Sequence, residues 1–322
     1  MKYIDKPYGN TLADLGDKNP NMVVVDADLQ RATETEIFQE RFPERYFDIG
    51  IAEANMVGIS AGLALSGKVV FCGTFASFIT QRVCDQVFVS VAYSNANVKL
   101  AGVEPGLASG RNGASHQALL DLAIMRAIPN MMVFDPADAI EMRAIMEYLA
   151  FHPYPAYMRV QRGKTPVILE DNEYIFVPGK SVKLREGSDA TIIASGIEVL
   201  PAIEAADILS TQGISCRVID MASIKPIDQQ AIIESANDTG CIVTAENHSV
   251  LGGLGAAVAE VVTSHFPVPV VRVGIKDKFG EVGPIEWLAK KFELDAGAIF
   301  AAVQEAIEMK ERIRKNDWSI TT

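Results

Sequence analysis

The sequence predicts an α/β protein of two doubly wound units, each built on a mostly parallel sheet, and two observations carry that prediction. Short β-rich apolar runs alternate with helical patterns through the first half of the chain, as expected of strands buried on both faces. The same alternation restarts near Asp189, after a stretch dominated by glycine, proline and charge. A length of 322 residues suits about two domains, and 49% hydrophobic residues are ample for two cores.

In chain order, strands are predicted at Met22–Val25, Val69–Cys72, Val98–Ala101, Met131–Phe134 and Ala156–Val160. Tyr46–Ile49 reads as a further short strand that Gly50 breaks, and Ile51–Leu65 as a helix with Gly58 and Gly62 on one packing face. These elements make a first unit over residues 1–165, followed by a linker over 166–188 with a short β excursion. A second unit over 189–322 opens with A-T-I-I-A-S-G, continues through a helix to Ser210, and carries strands at Ser215–Asp220 and Cys241–Ala245. Its G-G-L-G-A-A-V-A-E segment from Gly252 lacks the full G-x-G-x-x-G dinucleotide pattern, and glycines that open a helix often serve only close packing. In open parallel sheets functional residues gather on loops at strand ends, where Asp28, Phe75, His116 and Arg162 fall.

A net charge of −12 argues against nucleic acid or an anionic membrane as the main target. Cys72, Cys84, Cys216 and Cys241 show no C-x-x-C spacing and read as reduced core thiols. Together with the charged, proline-containing start M-K-Y-I-D-K-P, which lacks an export signal, they predict a cytoplasmic protein. Met56–Ile79 is apolar, but Gly67 and Lys68 divide it into a helix and a strand, too short to be one membrane span.

The sharpest chemical signal is Y-F-D-I-G-I-A-E-A-N at Tyr46–Asn55, which sets Glu53 in the first turn of an apolar helix. Helix dipoles favour acidic residues there, so Glu53 alone reads as a dipole partner. Its context adds more. G-K-V-V-F-C-G-T-F-A-S-F-I-T-Q-R-V-C-D-Q-V follows at Gly67–Val87, then G-A-S-H-Q at Gly113–Gln117 and I-M-R-A-I-P-N-M-M-V-F-D-P-A-D at Ile124–Asp138. In this order the motifs resemble the pyrimidine-binding domain of the transketolases, and the final third resembles, more weakly, their C-terminal domain.

That resemblance implies thiamine diphosphate as cofactor. Glu53 would share a proton with N1′ of the aminopyrimidine, which lets the cofactor's own 4′-imino group take the proton from thiazolium C2. Phe75 and Phe78 would pack on the pyrimidine and exclude water, strengthening that hydrogen bond at low dielectric. Asp28, in an A-D-L turn, would help organise the cofactor pocket, although it reads almost equally well as a turn aspartate. His116 would contact substrate and shuttle a proton. Arg162, in R-V-Q-R-G, would grip the substrate phosphate with its fork of donors, with Arg159 either supporting it or lying on the surface. Gln81 stands where many relatives carry another aromatic. The Q-R pair resembles the deoxyxylulose-phosphate synthase branch, which makes Arg82 a further candidate for the substrate phosphate.

Transketolases hold the diphosphate through Mg²⁺ with a G-D-G motif, and no G-D-G occurs here. Asp26 and Asp28 point to opposite faces if the strand alternates, so they make a poor metal site. The resemblance therefore implies the C-terminal half of a split transketolase, paired in an α₂β₂ assembly with a separate chain that carries the diphosphate site and the Mg²⁺ ligands. Two other readings remain open at this point: the β-subunit of a 2-oxo-acid dehydrogenase E1 component, and a non-catalytic α/β assembly subunit.

One departure bears on substrate. Many relatives read G-E-D-G-x-T-H-Q before the substrate histidine, whereas this chain reads G-R-N-G-A-S-H-Q. Arg111 and Asn112 thus change the local charge by roughly +3, enough to reverse the sign of the potential beside the substrate channel. Glu104 and Ala32 stand near positions where relatives often carry His and a phosphate-contacting Ser. A donor other than xylulose 5-phosphate is expected, either branched or carrying another anionic group such as a sulfonate.

Overall fold

The computed structural model describes residues 1–170 and 174–315. Residues 171–173 of the predicted linker and 316–322 of the predicted second unit lie outside the described residues.

The first sheet has seven strands in the order Ser223–Lys225, Met132–Phe134, Ala156–Val160, Val98–Val103, Val69–Phe75, Met22–Asp26, Tyr46–Asp48. All neighbours run parallel except Ser223–Lys225, which is antiparallel to Met132–Phe134. That edge strand comes from the second half of the chain, so the two units interlock. Tyr3–Asp5 pairs antiparallel with Lys164–Pro166 and joins the two ends of the first unit.

The second sheet is ordered Val270–Ile275, Ile242–Ser249, Ala190–Ala194, Cys216–Asp220, Val182–Arg185. Only its last strand is antiparallel to its neighbour. Part of the predicted linker is therefore an edge strand of the second sheet. V-K-L-R is short and only half-buried, which leaves little apolar periodicity to detect.

Two local differences matter for chemistry. The strand predicted to end at Cys72 runs on to Phe75 and delivers that ring to the sheet edge. The helix predicted from Ile51 starts at Glu53, after Gly50 adopts φ 75°, a left-handed turn cheap only for glycine. Met56, Val57, Ser60, Ala61 and Ala64 form its buried face, whereas Gly58 and Gly62 are exposed and a Cβ on either would touch nothing within 4 Å. The run is so uniformly apolar that its sequence does not tell the two faces apart.

All four cysteines are free, with Cys72, Cys216 and Cys241 buried. Among the described residues no helix is long and apolar enough to cross a membrane.

The units are held together by a buried charge cluster. Arg159 is 2% exposed and donates from Nε and Nη2 to the two carboxylate oxygens of Asp121, at 2.7 and 2.6 Å. Its Nη1 donates to Asp135 at 3.2 Å, and Ser195 of the second unit donates to the same Asp135 oxygen at 2.8 Å. Burial pushes the Asp121 carboxyl up, but the paired Arg159 outweighs it and holds Asp121 below the usual carboxylate range. Asp135, with one longer Arg159 contact, stays raised by burial. Arg159 is thus not a surface charge.

His248 of the second unit adds to the seam. Its Nδ1 lies 2.7 Å from the Ser249 carbonyl, which can only accept, so Nδ1 carries the proton and Nε2 accepts from the Ala123 N–H at 3.3 Å. Burial lowers this imidazole to about 4, which keeps it neutral.

Replacing Arg159 strands two buried carboxyls. Arg159→Met is expected to cost about 3–5 kcal/mol of stability, read from the midpoint of urea unfolding, and a loss under about 1 kcal/mol would contradict the clamp.

Candidate active site

Three of the sequence motifs converge at the carboxyl edge of the first sheet. Glu53, the first residue of the Glu53–Leu65 helix, has a side chain only 5% exposed, and its Oε1 accepts from Arg82 Nη1 at 2.7 Å. Phe75 and Phe78 meet edge-on, with centroids 5.8 Å apart at 89°. The His116 ring lies 5.3 Å from Phe75 and 4.9 Å from Phe78. Arg82 Cζ sits 3.8 Å from the Phe78 centroid. Glu53, Arg82, Phe78, Phe75 and His116 are therefore one contiguous cluster of a carboxyl, two aromatic rings, a cation and an imidazole. Ser115, which the sequence did not single out, places Oγ 3.0 Å from His116 Nδ1.

Asp28 is exposed and left-handed at φ 60°. Its N–H donates to Asp48 Oδ1, which also accepts from the Gly50 N–H, each at 2.9 Å. Asp48 thereby ties the Asp28 turn to the turn that leads into Glu53. Asp26 sits apart and buried, its carboxylate accepting from the Leu29 N–H and the Thr33 and Thr35 hydroxyls. Among the described residues no group of three or more His, Cys, Asp or Glu could hold a metal ion.

A second cleft gathers Arg162, Arg111 and Asn112 with Glu104. Arg162 Nη1 donates to Glu104 Oε1 at 3.1 Å, and Glu104 is held at φ 53°, a strained geometry for a residue with a side chain. The opposite wall is Gly283–Glu286 of the second unit. It is stitched across by the Gly283 N–H on the Gly110 carbonyl at 3.2 Å and Gln117 Nε2 on the Glu281 carbonyl at 2.8 Å. No sequence signal marked this wall, because G-P-I-E is too short to show periodicity and matches no motif.

Arg82 does not line that cleft. It borders a hollow with Ser77, Phe78, Gln81 and Ser115, and its guanidinium is committed to Glu53 and Phe78.

The glycine-rich segment from Gly252 serves packing, as the weak motif suggested. Glu246 accepts from the Leu254 and Gly255 N–H groups at the start of the Leu254–His265 helix, and a Cβ on Gly253 would lie 2.0 Å from Glu246 Oε2. A further hollow, between the Val270–Ile275 strand and the Ala296–Arg314 helix, contains none of the sequence-derived site residues.

A buried carboxyl and a group of aromatic rings at the carboxyl ends of parallel strands lie where open α/β sheets bind ligands. The pyrimidine binding domain of transketolase matches residues 4–167, and the transketolase C-terminal domain matches residues 179–299. The chain belongs to the transketolase family, and its pair of domains is that of the C-terminal subunit of split members. It is 44% identical over 303 residues, 94% of each chain, to a 6-deoxy-6-sulfo-D-fructose transketolase subunit of Clostridium sp. strain MSTE9. It is 43% identical over 274 residues to one of the subunits of an apulose-4-phosphate transketolase from Phocaeicola vulgatus, covering 85% of this chain and 87% of that one. A solved split-gene transketolase, an inactive β4 tetramer, superposes with a TM-score of 0.88 at 48% identity, over 94% of this chain and 98% of that one. The family's cofactor is thiamine diphosphate, and the buried carboxyl and rings fit its pyrimidine.

Proposed function

We propose that this chain carries the pyrimidine side of a transketolase active site and works only with a separate subunit that binds the cofactor diphosphate through Mg²⁺, as an α₂β₂ heterotetramer in the cytoplasm. The observation that carries the reading is the buried Glu53 carboxyl, linked through Arg82 to the cluster of Phe78, Phe75 and His116. When bound, thiamine diphosphate supplies a nucleophilic carbon for moving a two-carbon glycolaldehyde unit from a ketose to an aldose phosphate.

The chain's own residues do the rest. Glu53 holds a shared proton at pyrimidine N1′, sheltered from competing water by its burial. Phe75 and Phe78 orient the ring and dry the site. Asp28 steadies the neighbouring turn. His116 hydrogen-bonds a substrate carbonyl or hydroxyl and moves a proton during carbon–carbon cleavage. Arg162, Arg111 and Asn112 receive the substrate's anionic end.

Exposed Ile51, Leu65, Phe88, Val89 and Tyr93 support a partner subunit. They sit on or beside the mutually packed Glu53–Leu65 and Val87–Tyr93 helices. The inactivity of the related β4 assembly agrees with a need for a second kind of chain. The donor is a ketose other than xylulose 5-phosphate, branched or sulfonated. Support comes from the Arg111–Asn112 pair and from the sulfofructose and apulose phosphate in the names of two relatives.

In the reconstituted complex, Glu53→Gln should leave assembly intact and slow hydrogen–deuterium exchange at cofactor C2 by about 100-fold or more. Unchanged exchange removes Glu53 from the mechanism. A donor panel measuring kcat/KM tests the substrate reading, with wild type preferring a branched or sulfonated ketose and Arg111→Glu/Asn112→Asp shifting the ranking toward xylulose 5-phosphate. Wild-type preference for xylulose 5-phosphate, with the ranking unmoved by the double change, would end the specificity argument and leave the family assignment standing.

A further inference from the structure

We infer that Arg82 is a built-in stand-in for the cofactor's aminopyrimidine, an autoinhibitory contact that must open before thiamine diphosphate can seat. The inference rests on the roles given above to Glu53 and Phe78. A guanidinium is a flat, delocalised group with N–H donors along its edge and faces that stack on aromatic rings. Arg82 uses both features at once: Nη1 donates to Glu53 Oε1 at 2.7 Å, and Cζ lies 3.8 Å from the Phe78 centroid, a stacking distance. An aminopyrimidine is likewise flat, carries N–H donors on its edge, and calls on the same carboxyl and the same ring. A pyrimidine seated on that carboxylate oxygen and that face of the Phe78 ring would have to displace Arg82.

The surroundings make the contact reversible. Phe75 and His116 crowd other parts of the Phe78 ring at 5.8 and 4.9 Å, which leaves Arg82 as its polar cover. Glu53 is fixed at 5% exposure, whereas the Arg82 side chain is 46% exposed and reaches the carboxyl from the solvent side. Ser77, Gln81 and Ser115 border the hollow beside it and offer polar neighbours to a displaced guanidinium. A half-exposed ion pair and one stacked cation are each weak. The pair therefore shields a buried carboxyl without locking the site.

The test uses the reconstituted complex with its diphosphate-binding partner. Calorimetry with thiamine diphosphate at fixed Mg²⁺ should show Arg82→Met binding about ten-fold more tightly than wild type, as expected from loss of one exposed ion pair and one cation–ring contact. Arg82→Lys, which keeps the charge but loses the flat fork, should fall between them, and it serves alone if the methionine variant does not fold. A crystal structure of the loaded wild-type complex should place the Arg82 guanidinium off Glu53 and off the Phe78 ring. Equal or weaker cofactor binding by the variants, or a loaded complex in which Arg82 still donates to Glu53, overturns the inference while the cofactor assignment survives. Absence of cofactor binding by both wild type and variants overturns the cofactor assignment and this inference with it.

Discussion

The buried clamp of Arg159 on Asp121 and Asp135 is the interaction on which the rest of the architecture leans. Arg159 lies in a central strand of the first sheet, Asp121 opens the helix after the His116 loop, and Asp135 directly follows the Met132–Phe134 strand. Ser195 extends the network into the second unit through the same Asp135 oxygen. One guanidinium therefore ties together a central strand, the base of the histidine loop and the seam between the units. Bidentate geometry suits arginine alone, because a lysine could not serve both Asp121 oxygens and Asp135 from one fixed plane.

With that seam fixed, the two halves of the site follow from the topology. Parallel strands end at one edge, so Phe75 and the turn before Glu53 arrive at the same edge although they belong to different motifs. The second unit closes the neighbouring cleft with Gly283–Glu286, opposite Arg162, Arg111 and Asn112. This gives the C-terminal domain a share in shaping the place where the substrate's anionic end is proposed to lie.

Much of this was legible in the sequence, for physical reasons. Buried parallel strands are short apolar runs, and Glu53, Phe75, Phe78 and His116 sit in compact motifs whose order is informative without any contact map. What stayed hidden depends on long-range pairing. Arg159 finds its counter-charges 38 and 24 residues away, and a lone arginine in a strand carries no sign of being buried. Arg82 meets Glu53 across 29 residues, so its stacked, paired geometry could not be read from the Q-R dipeptide. The crossing of Ser223–Lys225 into the first sheet was invisible for the same reason.

The central claim is that this chain holds the pyrimidine end of a thiamine diphosphate site whose diphosphate end is on another subunit. Calorimetric titration of thiamine diphosphate and Mg²⁺ into the chain alone, and into the chain with its partner, tests it most directly. Weak binding by the chain alone and tight, Mg²⁺-dependent binding by the pair is the expected result. Tight, Mg²⁺-dependent binding by this chain without a partner would contradict the claim.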